Sequence, residues 1–174
     1  DLEKEKEQKH IDYLTGLLTR RAYNIELKRI EEQFEVFESN YAIIFYDLDN
    51  FKKINDTYGH DCGDSILATF ASILNKLTRA EDIISRYGGE EFISLVYYNN
   101  KLEIENYLRR VKNIITNNRF VYGDVKINVE FCAGVVFREN YSSYSESLKQ
   151  ADSLLYKAKN EGRNKIILDS DIEF

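Results

Sequence analysis

The chain has 174 residues, 43% hydrophobic and 31% charged, with acids ahead of bases by 30 to 24 for a formal net charge of -6. That is enough apolar material for one compact core, two at most, and it excludes a disordered or fibrous chain. The negative balance argues against non-specific nucleic-acid binding, although a few local donors can still hold a small phosphorylated ligand. Cys62 and Cys132 make neither a disulfide framework nor a zinc cluster, and they suit a reducing compartment. The longest apolar runs, 41–46 and 131–137, fall well short of the roughly 20 residues that span a bilayer. The chain opens at Asp1 and holds no Met, which predicts a fragment or a processed product.

Residues 1–10 alternate Glu and Lys and read as the end of a linker helix from an upstream domain, or as a frayed, solvated helix end. Thr19 predicts a cap for a helix running to about Glu38, with Ala22, Leu27, Ile30, Phe34 and Phe37 as its apolar stripe. The unalternating run 41–46 predicts a central strand covered on both faces, ending in Asp47 and Asp49. Ile66, Phe70, Ile73, Leu74 and Leu77 predict a helix over 64–77. Two strands, 83–87 and 91–98, follow, joined by Gly88-Gly89 as a tight hairpin. A helix over 101–118, a long strand over 125–137 whose polar first half protrudes or lies at an edge, a helix over 144–159 and a short strand at 166–168 complete the chain.

The hairpin argues against a doubly wound sheet. The inner order strand-helix-strand-strand-helix-strand is the ferredoxin-like pattern. The fold class expected is therefore α+β: a mixed, mainly antiparallel central sheet flanked by helices.

Asp47 and Asp49 alone would read as an acidic loop facing water. Glu90-Glu91 changes that reading, because it follows the Gly88-Gly89 turn and lies beside the first strand if the hairpin is central. Two acidic clusters converging on one sheet edge, with no Cys or His partner, look like a site for Mg2+ or Mn2+ rather than zinc.

Four segments resemble the motifs of the diguanylate cyclase catalytic domain, the GGDEF or GGEEF family. They are YDLDNFKKINDTYGHDCGD at 46–64, RYGGEEF at 86–92, DYLTGLLTRRAY at 12–23 and ADSLLYKAKNEGRNK at 151–165. The resemblance implies a sheet like the palm of nucleotidyl cyclases and polymerases. It also implies condensation of two GTP into cyclic di-GMP and two pyrophosphates, by a homodimer in which each domain holds one GTP. It places the catalytic domain at 11–170, the linker end at 1–10 and a tail at 171–174. It implies a cytoplasmic domain governed by an upstream sensor or regulatory domain, with no nucleic-acid partner.

Residue by residue, Asp47, the Leu48 carbonyl and Glu90 match the family's metal ligands, and Glu91 matches a supporting acid. Asn50, Phe51 and Lys52 match the loop whose amides hold the terminal phosphates. Gly88 and Gly89 leave room for nucleotide, and Lys159 and Arg163 match a cationic pair on one side of a helix end. Asn55 and Asp64 match the guanine-reading pair. Arg79 and Asp82, an Arg-x-x-Asp upstream of the signature, match a product-inhibition site to which Arg109 or Arg110 contributes. Without the resemblance, Lys159 and Arg163 would read as solvated surface, Arg79 and Asp82 as a surface ion pair, and Asp64 as a helix N-terminal acid. One departure is Cys132, where Ser is usual. A silent cyclic di-GMP receptor is disfavoured because the signature acids are kept. A nucleic-acid binder lacks a basic face and an aromatic platform.

Overall fold

The computed structural model describes residues 10–118, 120–170 and 172–174; the expected linker end at 1–10 falls outside these except for His10. The elements are α1 (Arg20–Phe37), β1 (Tyr41–Leu48), α2 (Phe51–Tyr58), α3 (His60–Leu77), β2 (Ile83–Arg86), β3 (Glu91–Tyr97), α4 (Lys101–Asn117), β4 (Phe120–Tyr122), β5 (Val125–Ile127), β6 (Phe131–Phe137), α5 (Tyr144–Asn160) and β7 (Ile166–Leu168). No described helix is long and apolar enough to cross a membrane.

The main sheet runs β2-β3-β1-β6-β7. Its neighbours are antiparallel except β6 and β7. This is the ferredoxin-like order with β7 added. All eight residues of β1 are buried, as a central strand without alternation requires. Successive side chains still point to opposite faces. Ala42, Ile44, Tyr46 and Leu48 pack with residues of α3 and α4, while Tyr41, Ile43 and Phe45 pack with residues of α1 and α5.

Four expectations need correction. Residues 51–58 form a helix, α2, and α3 begins at His60 rather than at 64. Gly59, at φ 93, makes the break between them, and its amide caps α2 on the Asn55 carbonyl at 2.8 Å. The strand expected over 125–137 is two strands. Its polar half pairs with β4 in a separate two-stranded sheet, and only Phe131–Phe137 enters the main one. Phe37 is 69% exposed at the end of α1, and Tyr23, in its first turn, is the fully buried aromatic of the helix. Finally, 172–174 is no loose tail: the Ile172 and Phe174 carbonyls accept from Leu168 and Ile166 along the outer edge of β7.

Two local contacts set the frame of the strand ends. α5 lies directly on β6 because Gly134 has no side chain: a Cβ there would stand 2.1 Å from the Ala151 carbonyl oxygen and 2.6 Å from the Leu155 amide. At the other side, Arg86 joins the opening motif to the signature turn. Its Nη1 reaches both Asp12 carboxylate oxygens at 3.3–3.4 Å, and its Nε and Nη2 donate to the Gly89 carbonyl at 3.0 and 2.9 Å. Asp12 also accepts from the Thr15 amide and hydroxyl.

Gly134→Ala is expected to cost at least about 2 kcal/mol, because both clashing atoms are helix backbone and cannot swing away. For a chain of this length that is a fall in Tm of roughly 4–8 °C by calorimetry or circular dichroism. Asp12 gives a pH-dependent test. Burial alone would raise its pKa, but the Thr15 and Arg86 contacts outweigh burial and hold it below the usual carboxylate range. The folded value is depressed, so its contribution is complete above the unfolded value of about 4 and is lost as the pH falls through the folded one. Asp12→Asn should therefore cost about 1 kcal/mol at pH 7. In urea titrations that gap should close as the pH falls below about 4.

Candidate active site

β1 carries Asp47 and Leu48 to the end of the sheet, where Asn50, at φ 55, turns the chain into α2. The signature turn closes alongside. The Tyr87 and Gly88 amides donate to the Glu91 carbonyl at 2.8 and 3.2 Å, and the Leu48 amide donates to the Glu90 carbonyl at 3.3 Å. Antiparallel register sets Glu91 opposite Asp47. Neither Gly88 nor Gly89 takes a left-handed backbone. A Cβ on Gly88 would sit 2.7 Å from a Glu91 carboxylate oxygen, so this glycine lets Glu91 fold back over the turn. Gly89 faces open space.

These strand ends and α2 enclose a cavity of about 480 Å3. It is lined by Asp47, Leu48, Asn50, Phe51, Lys52, Glu90, Lys159 and Arg163, so the structure brings together the sequence's metal-ligand and phosphate-side residues. Lys53 and Asp56 also line it and escaped the sequence reading. The signal for them was the i, i+3, i+7 spacing of Phe51, Ile54 and Tyr58, which marks a helix and so brings 52, 53 and 56 to a common side. Asn55 and Asp64 lie outside the lining. The Asn55 side chain packs on Gly63, the neighbour of Asp64: a Cβ on Gly63 would fall 1.8 Å from Asn55 Oδ1. That oxygen is buried and has no protein donor, and Asp64 is exposed one residue further on.

The carboxylates crowd one another. Asp47 is 4% exposed. Burial pushes its pKa up, its ion pair with Lys159 pulls it down, and Glu90 and Asp49 push it up again, for a net rise. Glu91 is raised by burial first and by Asp47 next. Lys159 is held charged: burial lowers its pKa, but the contact with Asp47 and the nearby Glu91 and Glu90 raise it further. Lys159 thus occupies the position of the cation that this acid cluster needs.

The closing cationic pair does not stand on one helix face. α5 ends at Asn160, and Gly162, Arg163 and Asn164 follow at φ 110, 65 and 48. Arg163 reaches the cavity from this turn, its Nη1 donating to Asn50 Oδ1 at 3.2 Å. Asp49, expected beside Asp47 as a second acid of the site, also lines the cavity, but protein donors engage its oxygens. One oxygen accepts from the Asn164 amide at 2.8 Å and the other from Cys132 Sγ at 3.0 Å. Burial and the Asp49 carboxylate push the Cys132 thiol up to about 12, so it stays a protonated donor.

Arg79 and Asp82 lie at the opposite end of β3, about 20 Å away at the usual rise per strand residue. Arg79 donates from Nε to Asp82 at 3.0 Å and from Nη2 to the Tyr97 carbonyl, while the other Asp82 oxygen accepts from the Tyr97 amide at 3.0 Å. Arg110 shares a cavity of about 470 Å3 with them. Arg109 does not: its guanidinium lies 4.0 Å from the centre of the Phe174 ring. A larger cavity, about 690 Å3, adjoins Arg79 on the α1 side and contains none of the signature acids.

Among the described residues no three Asp, Glu, His or Cys side chains converge to hold a metal unaided. The donors at hand are the Asp47 and Glu90 carboxylates and the Leu48 carbonyl. They are hard oxygens, fit for Mg2+ or Mn2+ and unfit for a thiolate-seeking ion. The buried Asp47 carboxylate, with Glu90 and Glu91 repelling it and a lysine as counterion, supports that fit.

The family described as "Diguanylate cyclase, GGDEF domain" matches residues 9–165. Among curated proteins, the chain is 34% identical over 158 residues to the diguanylate cyclase DgcM of Escherichia coli, covering 91% of this chain and 38% of that protein. It is 34% identical over 159 residues to the response regulator PleD of Caulobacter vibrioides, covering 90% and 35%. The chain therefore spans little more than a third of the length of these relatives. Among solved structures, the coiled coil and GGDEF domain of DgcB from Caulobacter crescentus, in complex with c-di-GMP, superposes with a TM-score of 0.90 at 25% identity over 96% of this chain and 89% of that one. The diguanylate cyclase SiaD of Pseudomonas aeruginosa, in complex with its activator SiaC, gives 0.86 at 30% identity over 95% and 65%. A palm-like antiparallel sheet, the signature turn at its end and a match over nine-tenths of the chain agree: this chain belongs to the diguanylate cyclase GGDEF domain family.

Proposed function

We propose that this chain is the catalytic domain of a diguanylate cyclase, with residues 11–170 as the catalytic unit and 1–10 as the end of a linker helix from a sensor or regulatory domain. The observation that carries the reading is the shared cavity. Asp47, Leu48 and Glu90 line it together with Lys159 and Arg163. A triphosphate needs cations along its length, and this cavity supplies four side-chain cations, Lys52, Lys53, Lys159 and Arg163, beside hard oxygen donors for a metal ion.

Asp47, Glu90 and the Leu48 carbonyl would hold Mg2+ or Mn2+, which when bound neutralises the triphosphate and the charge that develops on departing pyrophosphate. Arg163 and Lys159 hold the phosphates, with Asn50, Phe51 and Lys52 turning the chain around them. Lys159 gives up Asp47 as it takes the phosphates, and a bound cation would supply the charge that Asp47 then lacks. Asp64 accepts from the guanine N1–H and exocyclic amine beside Asn55, which favours GTP over ATP. In each half-reaction a ribose 3'-oxygen bonds the α-phosphorus of the opposing GTP. The α–β bridging bond breaks, pyrophosphate leaves and the hydroxyl proton passes to solvent. Two such steps close the ring, so two copies of the domain must face each other as a homodimer, each with one GTP. Arg79, Asp82 and Arg110 form a product site. Its distance from the cavity means that cyclic di-GMP bound there acts on the pose of two domains rather than on the reacting atoms.

With GTP and Mg2+, chromatography should show conversion to cyclic di-GMP. Glu90→Gln should lower the rate by at least about a hundredfold, the several kcal/mol that a lost metal-binding carboxylate represents, with an unchanged circular dichroism spectrum. A Gln variant that turns over near the wild-type rate would remove Glu90 from the chemistry. Arg79→Ala should weaken cyclic di-GMP binding about tenfold or more in calorimetry, as loss of a charge-assisted pair implies. Binding as tight as wild type would remove the product site from this surface.

A further inference from the structure

We propose that Asp49 is a positioning residue. Its buried carboxylate ties the end of β1 to the turn after α5 and so sets where Arg163 stands. The inference rests on the reading of the cavity as a GTP site.

Asp49 is 7% exposed, and protein donors occupy both its oxygens: the Asn164 amide at 2.8 Å and Cys132 Sγ at 3.0 Å. Both oxygens are thus already engaged by protein donors, and its buried charge is matched by directed hydrogen bonds. What it grips is a strained segment. Arg163 and Asn164 both hold left-handed backbones, at φ 65 and 48. Asn tolerates this conformation, but for an arginine it is costly and persists only where the surroundings impose it. The next residue is tied to the sheet, the Lys165 carbonyl accepting from the Ala133 amide at 2.9 Å, and three further bonds hold the turn itself. The Arg163 amide donates to the Ala158 carbonyl at 3.1 Å, the Asn164 amide to Asp49, and Lys112 Nζ to the Asn164 carbonyl at 2.9 Å. Asp49 and Lys112 thus hold Asn164 by its N–H and its C=O.

The Arg163 side chain is exposed, and among the described residues its hydrogen bond is the one to Asn50 Oδ1. A long, exposed arginine with one weak contact does not place itself, so its backbone places it. Without Asp49 the turn relaxes, and the guanidinium loses its aim at the cavity. In this chain the grip is softened by chemistry. A thiol is a weak donor, and Cys132 supplies one of the two bonds.

The test measures binding of a GTP analogue with an uncleavable α–β bridge, in the presence of Mg2+, by calorimetry. Asp49→Ala should weaken binding about tenfold, as should Arg163→Ala, each through loss of the same charge-assisted contact. The double variant should be no weaker than either single one to within about twofold, because the two residues act through one element. Asp49→Asn keeps an acceptor for the Asn164 amide and should stay within about threefold of wild type. A double variant weakened by the product of the single effects, or an Asn variant as weak as Ala, overturns the proposal; the second result would mark Asp49 as a metal ligand. Hydrogen exchange without nucleotide gives an independent reading: in Asp49→Ala the amides of 161–165 should exchange faster while the middle of α5 does not. Unchanged exchange there overturns the proposal. If the wild-type chain binds no analogue, it is the GTP reading that fails, and the exchange result still decides whether Asp49 holds the turn. Should Asp49→Ala not fold, Cys132→Ala removes one of the carboxylate's partners and should weaken binding about threefold; no change would count against the role.

Discussion

Asp47 cannot keep its charge where it stands unless a cation stands beside it. It is almost wholly buried at the end of the central strand, with Glu91 opposite in register and Glu90 on the adjoining turn. Desolvation and like-charge repulsion both oppose ionisation at such a place. In this structure Lys159 answers that demand from the end of α5, 112 residues away in sequence. The closeness of α5 to the sheet follows from it as much as from packing: the helix must lie low enough for a lysine to reach the strand end. Gly134 makes that approach sterically possible. The acid cluster and the bare patch on β6 are thus two halves of one requirement.

The sheet was legible in the sequence because burial on both faces leaves a plain mark. The run 41–46 admits no polar residue, and β1 is buried along its whole length. The hairpin 83–97 was equally plain, since two glycines between apolar runs leave few alternatives. α2 was missed because its polar side faces the cavity, so its composition resembles a loop, and Gly59 interrupts what would otherwise be one long helix signal. The extended reading of 125–137 failed for a related reason. Alternation at Lys126, Asn128 and Glu130 says that one side is wet but not which partner a strand takes, and β5 takes β4 instead of joining the main sheet.

Within the site, the family motifs identified residues, and the structure supplied their attachments. Lys159 and Arg163 are four apart, a spacing that suggests one helix face, yet the helix has ended before the second of them. Asp47 and Asp49 look equivalent in an Asp-x-Asp. Register gives both the same side of the strand, and only the environment separates them: one meets a lysine across a cavity, the other a backbone amide and a thiol. Spacing assigns a residue to a neighbourhood, whereas its role depends on which neighbour satisfies it.

Both margins of the main sheet are closed among the described residues. Leu18 exchanges backbone bonds with β2 on one side, through its amide to Ile84 and its carbonyl to Arg86, and 172–174 pairs along β7 on the other. A second copy therefore finds no open margin of the main sheet to add to, and two such domains cannot merge by extending it. Any arrangement that turns one cavity toward another is held by contacts outside the ladder of the main sheet, between side chains rather than strand backbones.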